Sequence, residues 1–135
     1  KYYLQACKTT PCWLRGSDDV IKCVKDKLGI GNHEATDDGM FSLLEVECLG
    51  ACVNAPILQV NDDFYEDLDY EATAELLEAL KQGKPPPQGS MKGRQLSESS
   101  AGATSLTSLR ETEAAYVPRP PKPKAEEAPQ DGGES

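Results

Sequence analysis

The amino-acid sequence predicts an α/β fold, in which a small mixed β-sheet carries packed helices and is followed by an extended C-terminal tail. Three observations lead to this prediction. Strand and helix patterns alternate through residues 1–84, the composition changes sharply near Lys84, and two pairs of cysteines each come directly after a predicted strand. Such alternation is typical of a sheet with helices packed on it.

The first half of this region contains a strand, a helix and a second strand. Residues 2–6 predict a strand that leads directly into a cysteine. Ser17 is placed to cap a helix, because two aspartates follow it at the positive end and apolar residues then recur at helical spacing. Gly29 ends that helix. Residues 41–47 predict the second strand, which again ends at a cysteine.

The second half predicts a hairpin and a last helix. Residues 57–60 and 64–66 flank a turn-forming Asn-Asp-Asp triplet. Asp69 is placed to cap a helix with an apolar stripe, and Gly83 with the following prolines ends it. The resulting order is β-α-β-β-β-α. It matches a thioredoxin-like arrangement if the first two strands are parallel and the last two form the hairpin.

The tail differs in composition from the region before it. Residues 85–135 hold eight of the ten prolines and a single aromatic residue. They carry too little apolar surface to offset the entropy cost of folding alone. We therefore divide the chain into a domain over residues 1–84 and an extended or disordered tail over residues 85–135. The proline-rich residues 118–123 favour polyproline II structure.

The charge balance excludes some classes of partner. The chain of 135 residues has 23 acidic and 14 basic residues, a net charge of −9. A surface for nucleic acid needs clustered lysine and arginine, so we expect no nucleic-acid partner. No apolar run approaches the roughly 18 residues that a membrane span requires, so we expect no membrane insertion.

The cysteine pairs carry the strongest chemical signal. Cys7 and Cys12 form a C-x4-C pair, Cys48 and Cys52 form a C-x3-C pair, and 35 residues lie between the two pairs. Each pair lies in a loop at a strand end, where small and hydroxylated residues leave room and supply hydrogen-bond donors for sulfur. One pair could hold one iron and the other pair the second iron, with sulfides bridging them.

Three other uses of these thiols compete with binding of iron. Structural zinc also uses four thiolates, although its usual knuckles have a C-x2-C gap. A redox dithiol would require C-x-x-C, which the sequence lacks. Disulfides within each pair are disfavoured because the sequence shows no secretion signal.

The other candidate residues have simpler interpretations. Cys23 lies on the apolar face of the first helix and is expected to be a buried core thiol. His33 is expected to be a solvated loop residue. Glu45 and Glu47 are expected on a solvated or partner-facing side, where negative charge would lower the potential of a nearby cluster.

Two further expectations concern the region after the second cysteine pair. Pro56 precedes the third predicted strand, where thioredoxin-like folds commonly place a cis proline, so we predict a cis Ala55–Pro56 bond. The acidic residues that follow lack the spacing of a calcium loop. We interpret them as a solvated turn and helix start: Asp62, Asp63, Glu66, Asp67 and Asp69.

The cysteine pairs and their surroundings resemble one known family. Cys7-x4-Cys12, residues 43–56 (LLEVECLGACVNAP) and residues 61–68 (NDDFYEDL) are similar to the NuoE-type [2Fe–2S] flavoprotein component of respiratory complex I. The resemblance runs from Lys1 to about residue 109. It implies a thioredoxin-like [2Fe–2S] ferredoxin fold.

The resemblance also implies a site and a function. The [2Fe–2S] cluster would be held by Cys7, Cys12, Cys48 and Cys52, with no catalytic residue. The chain would be a subunit of NADH:ubiquinone oxidoreductase (H+-translocating) without a substrate site of its own. It would exchange single electrons with the flavin of the adjacent NADH-binding subunit.

The same resemblance implies partners and a location. The partners would be the flavin-bearing NADH-binding subunit and other peripheral-arm subunits, with residues 85–109 lying along the flavoprotein. The location would be the matrix side of the mitochondrial inner membrane, or the cytoplasmic face in a bacterial member. The alternatives are the equivalent subunit of an NAD-linked hydrogenase or formate dehydrogenase, and a zinc-stapled interaction module.

Overall fold

A computed structural model describes residues 1–94 together with Ser97 and Ala101. Within these residues it contains six strands, three α-helices and one 3₁₀ turn. The strands are β1 (Tyr2–Cys7), β2 (Glu34–Ala35), β3 (Phe41–Val46), β4 (Leu58–Val60), β5 (Asp63–Glu66) and β6 (Gly89–Ser90). The helices are α1 (Thr10–Leu14), α2 (Ser17–Leu28) and α3 (Tyr70–Lys81), and the 3₁₀ turn covers Cys52–Asn54.

The strands form one mixed sheet in the order β2-β3-β1-β4-β5-β6. β1 pairs in parallel with β3, and β4 forms an antiparallel hairpin with β5. Both pairings confirm the arrangement that the sequence predicts. β1 also pairs antiparallel with β4, so it lies at the centre of the sheet, between the hairpin and β3.

The main core lies between the sheet and the helices α2 and α3. Alternate residues of the central strands point into it, and both long helices contribute an apolar stripe that is almost fully buried. Burying each large aliphatic side chain contributes about 2 kcal/mol before entropy costs are subtracted. The most enclosed aliphatic side chains of the main core are Leu4, Val20, Val24, Leu43, Leu58, Leu76, Leu77 and Leu80.

The helix ends confirm two of the predicted caps and contradict the third. The Asp69 carboxylate accepts a hydrogen bond from the backbone N–H of Ala72 at 2.9 Å, and Gly29 ends α2 in the left-handed conformation. Ser17 does not cap α2. It is the first residue of the helix, Gly16 precedes it in the capping position, and the Ser17 hydroxyl makes no capping bond. Its position follows from α1, which ends only three residues earlier at Leu14.

Four short elements were not predicted from the sequence: α1, β2, β6 and the 3₁₀ turn. α1 turns part of the expected loop between Cys7 and Cys12 into a helix, with Pro11 in its first turn, where a missing N–H costs nothing. β2 and β6 are two residues long, too short for an alternating pattern. β6 pairs with β5 beyond the predicted boundary at Lys84. The boundary itself stays a prediction, because residues 102–135 lie outside the described residues.

Two other sequence predictions can be compared directly. The Ala55–Pro56 peptide bond is cis, as predicted. No helix among the described residues is long and apolar enough to cross a membrane. The proposed polyproline segment at residues 118–123 lies outside the described part of the chain, as do residues 102–109 of the segment expected to contact a partner.

Glu45 is not on a solvated face, contrary to the sequence-based expectation. Its position on β3 has the same parity as buried Phe41 and Leu43, so it faces the helix layer. Its carboxylate accepts hydrogen bonds from Lys25 on α2 at 2.9 Å and from Lys8 at 3.0 Å. The negative charge is therefore compensated by two lysines. Glu47 is exposed, as expected.

The pH dependence of the free energy of unfolding tests the ion pairs that Glu45 forms with Lys25 and Lys8. Hydrogen bonds from Lys25 and Lys8 hold the pKa of the Glu45 carboxyl below its ordinary value. Its stabilising contribution is therefore present above about pH 4.3, the pKa of glutamate in an unfolded chain, and is lost as the pH falls through the lower folded-state pKa. We expect Glu45→Gln to lower the free energy of unfolding by about 1 kcal/mol at neutral pH.

Urea unfolding of both proteins as a function of pH measures this difference, which is expected to shrink in acid. Glu78→Gln is the matched control, because Glu78 forms an exposed pair with Lys81 on one face of α3 and should change little. A deficit in Glu45→Gln that stays constant down to the acid limit would contradict the linkage.

Candidate metal centre

The parallel pairing of β1 with β3 brings the two cysteine loops together. Cys7 is the last residue of β1 and lies opposite Val46, the last residue of β3. The backbone N–H of Lys8 donates to the carbonyl of Val46 at 3.2 Å, which extends the contact past both strand ends. Because parallel strands end at the same edge of a sheet, the loops that carry Cys12 and Cys48 start side by side.

The first pair is buried in a small apolar cluster of its own. Cys7 and Cys12 pack with Ala55 and Ile57, apart from the main core. The cis bond before Pro56 lies between these two apolar residues. The Cys7 sulfur is 3.3 Å from the Thr9 hydroxyl, and both cysteines are at most 1% exposed. This pair is therefore shielded from water.

The second pair lies nearer the surface. Cys48 is exposed and Cys52 is partly buried, and their sulfurs are 3.3 Å apart. The backbone N–H of Gly50 donates to the Cys48 sulfur at 3.4 Å. Gly50 has φ +85°, a conformation that glycine adopts without strain and that aims this N–H at the sulfur.

The two pairs show the same asymmetry in acidity. Burial alone would raise the pKa of Cys7, but hydrogen bonds from Thr9 and Cys12 bring it below the ordinary value. Burial and the hydrogen bond to Cys7 raise the pKa of Cys12 to about 12. The N–H of Gly50 and the Cys52 thiol lower the pKa of Cys48, and the hydrogen bond to Cys48 raises that of Cys52. In each pair, one thiol therefore has the lower pKa and loses its proton first, and the hydrogen bond from the other thiol stabilises the resulting thiolate.

The donor set fits a cluster bound by thiolates. The four cysteines lie as two pairs at one edge of the sheet, with O–H and N–H donors directed at one sulfur of each pair. Among residues 1–94, Ser97 and Ala101, no three His, Cys, Asp or Glu side chains converge on a single ion site. An arrangement as two pairs suits a centre with one iron per pair. Binding must displace the remaining thiol protons.

The other sequence candidates lie away from this site. Cys23 is fully buried in the main core, as predicted. His33 is exposed in the loop before β2, also as predicted. The assignment of Cys7, Cys12, Cys48 and Cys52 as ligands stays a prediction, which their arrangement supports.

The acidic region after β4 contradicts the sequence interpretation at two positions. Asp67 is 4% exposed and forms an ion pair with Arg94, so it does not belong to a solvated turn. Glu66 accepts a hydrogen bond at 2.5 Å from the side chain of Asn54, in the turn that carries Cys52. Sequence reasoning missed both contacts because the partners lie 27 and 12 residues away.

Two relatives share extensive sequence with this chain. A protein of Rickettsia bellii, named as a subunit of NADH-quinone oxidoreductase, is 58% identical over 81 residues, which cover 60% of this chain and 48% of the relative. "NADH dehydrogenase [ubiquinone] flavoprotein 2, mitochondrial" of Dictyostelium discoideum is 51% identical over 104 residues, which cover 77% of this chain and 42% of the relative. The chain thus spans less than half the length of either relative.

A solved structure and a family model agree on the fold. A thioredoxin-like [2Fe–2S] ferredoxin from Aquifex aeolicus superposes with a TM-score of 0.52 at 20% identity, covering 70% of this chain and 97% of the ferredoxin. The model of the family described as "Thioredoxin-like [2Fe-2S] ferredoxin" matches residues 1–81. The thioredoxin-like fold predicted from the sequence is confirmed, and with it the [2Fe–2S] cofactor. This chain belongs to the thioredoxin-like [2Fe–2S] ferredoxin family.

Proposed function

We propose that this chain is a one-electron carrier subunit of an NADH:quinone oxidoreductase, the respiratory complex I. It holds a [2Fe–2S] cluster through Cys7, Cys12, Cys48 and Cys52. One observation carries the proposal: these four cysteines lie as two pairs at one sheet edge, in a chain that is 58% identical over 81 residues to a relative named as a component of that enzyme.

The residues around the sulfurs support this role. When bound, a [2Fe–2S] cluster takes up and releases one electron at a time. The Thr9 hydroxyl and the Gly50 N–H stabilise negative charge on sulfur. Ala55 and Ile57 exclude water from the inner pair, while the exposed Cys48 leaves the opposite side open to a partner.

The proposed partner is the flavin-bearing, NADH-binding subunit, together with other subunits of the peripheral arm. Three exposed apolar side chains adjoin ligand cysteines in the chain: Trp13 and Leu14 follow Cys12, and Val53 follows Cys52. Apolar side chains grouped around a site that must approach another protein are typical of a binding surface.

The proposed location is the matrix side of the mitochondrial inner membrane. The match to the mitochondrial relative runs over 104 residues, and the match to the bacterial relative over 81. The longer match favours a mitochondrial member of the family. A bacterial member would lie at the cytoplasmic face. For the segment of residues 85–109, contact with the flavoprotein remains a proposal.

The alternatives are distinguished by the assembly and by the metal. In a hydrogenase or formate dehydrogenase the native complex would lack quinone-linked subunits, and the names of the sequence relatives favour complex I. A zinc-stapled interaction module would have the same four thiolates but neither colour nor redox activity. Family membership argues against this second alternative.

Removal of single cysteines tests the site. We expect the anaerobically reconstituted chain to contain about two irons and to show an electron paramagnetic resonance signal only after reduction. Cys12→Ala and Cys52→Ala each remove a thiolate and should abolish the stable cluster, measured as iron content and visible absorbance. Cys23→Ala, in the main core, is the control and should keep both.

Zinc in place of iron in the wild-type chain, with no signal after dithionite, would reject the carrier role. Unchanged iron content in either ligand variant would instead reject the assignment of that cysteine.

Removal of exposed apolar side chains tests the partner surface. We expect Trp13→Ala to weaken binding of the cluster-loaded chain to the flavin-bearing subunit about tenfold, the loss typical of a central aromatic contact. Isothermal titration calorimetry measures the dissociation constant. Tyr3→Ala is the matched control, because Tyr3 is also exposed but lies near the start of β1, away from Cys7. Equal affinities of Trp13→Ala and Tyr3→Ala would contradict this surface.

A further inference from the structure

A segment that follows the last helix, α3, is fastened to the turn that carries Cys52. We propose that Arg94 is a positioning residue for the outer half of the metal centre, acting through Asp67 and the carbonyl of Val53. The inference rests on the proposed function in one respect, namely that Cys52 is a ligand. It adds a residue that lies 13 positions beyond residue 81, where the match to the family model ends.

Arg94 contacts both Asp67 and the cysteine turn. Its Nε donates to Asp67 Oδ2 at 2.8 Å, and its Nη2 donates to Asp67 Oδ1, so the guanidinium binds the carboxylate with two parallel bonds. The same Nη2 lies 3.4 Å from the carbonyl oxygen of Val53, the residue after Cys52. One planar group therefore links segment 89–94, the end of β5 and the ligand-bearing turn.

Asp67 is tied to that turn by its backbone as well. Its N–H donates to the carbonyl of Asn54 at 2.7 Å, and the next N–H, of Leu68, donates to the carbonyl of Pro56 at 3.3 Å. The Asn54 side chain in turn donates to Glu66. The 3₁₀ turn over Cys52–Asn54 is thus held from its C-terminal side by β5 and the residues after it.

Burial makes the Arg94–Asp67 pair difficult to separate. The side chains are 15% and 4% exposed, so water cannot replace either partner without opening the structure. Ser90 donates to Asp67 Oδ2 at 2.6 Å and completes the shell of donors around the carboxylate. Burial opposes ionisation of Asp67, but the bonds from Arg94 and Ser90 outweigh it and hold its pKa below the ordinary value. Removing one partner leaves a buried charge uncompensated.

The two halves of the site are therefore held by different kinds of contact. The inner pair, Cys7 and Cys12, is enclosed by the domain's own apolar residues. The outer pair lies nearer the surface, and Cys52 begins a three-residue 3₁₀ turn. Polar contacts hold this turn, and Arg94 adds one from the segment after α3 to those made by β5 and the residues that follow it.

The test compares variants of the full 135-residue chain carrying the cluster. We expect Arg94→Gln to release iron to a chelator about tenfold faster than wild type, as losses around metal ligands commonly do. We also expect its electron paramagnetic resonance line shape to change. Arg94→Lys restores the charge without the two parallel bonds and should fall between the two.

Lys92→Gln is the matched control. Lys92 lies on the same segment and pairs with Asp69, but this pair is exposed, at 56% and 46% of the two side chains. It should release iron at the wild-type rate with an unchanged line shape. Equal release rates for Arg94→Gln and wild type, or equal acceleration in Arg94→Gln and Lys92→Gln, would overturn the inference.

A second measurement separates this inference from the carrier role. Hydrogen exchange of a peptide covering Cys52–Asn54, in the chain without cluster, should be several-fold faster in Arg94→Gln than in Lys92→Gln. It requires no metal, so it decides the positioning role even if the wild-type chain binds no iron and the carrier proposal fails. Should Arg94→Gln not fold, Arg94→Lys and Ser90→Ala decide by the same readouts. Unchanged exchange in these variants rejects the role of Arg94.

Discussion

The parallel pairing of β1 with β3 is the constraint on which the site depends. The sequence separates Cys7 from Cys48 by 40 residues, and only a parallel neighbour places the ends of both strands at one edge. Parallel neighbours need a crossover connection, which α2 supplies by packing across the sheet. The helix thus fixes the geometry of the metal centre without contributing a ligand.

The same arrangement divides the site into an inner and an outer half. The inner pair adjoins the sheet and shares an apolar cluster with Ala55 and Ile57. The outer pair is held by polar contacts at the surface. The proposed role as an electron carrier needs both properties, because the shielded side would protect the centre from water and the open side would let a partner approach. From this division we expect the inner half of the site to be more rigid than the outer half.

Sequence reasoning succeeded where the physical cause is local. The hairpin turn, the Asp69 cap and the helix stop at Gly29 depend on residues a few positions apart, and all three are present. The cysteine spacing likewise indicated the site. Contacts between distant charges could not be foreseen, because any of several lysines could have reached Glu45. Ser17 failed as a cap because α1, which was not predicted, ends at Leu14 and leaves Gly16 in the capping position of α2.

Charge compensation changes the electrostatic interpretation of the site. The acidic composition suggested a field of unpaired carboxylates that would lower the potential of a bound cluster. Glu45 and Asp67, whose carboxylates are largely buried, are instead paired with lysine and arginine. Glu45 pairs with Lys25 and Lys8, and Asp67 pairs with Arg94. Their contribution to the field is short-ranged, because a paired charge acts as a dipole.

The segment after α3 shows how a chain of low apolar content becomes ordered. It has few side chains to bury, but β5 would otherwise be an edge strand with unpaired backbone groups. β6 pairs with β5, and the Tyr65 hydroxyl donates to the carbonyl of Pro86 at 3.2 Å. Backbone and ionic contacts to a preformed edge replace hydrophobic burial. The ordering of this segment therefore depends on the domain, and through Arg94 the outer half of the metal centre depends on the segment.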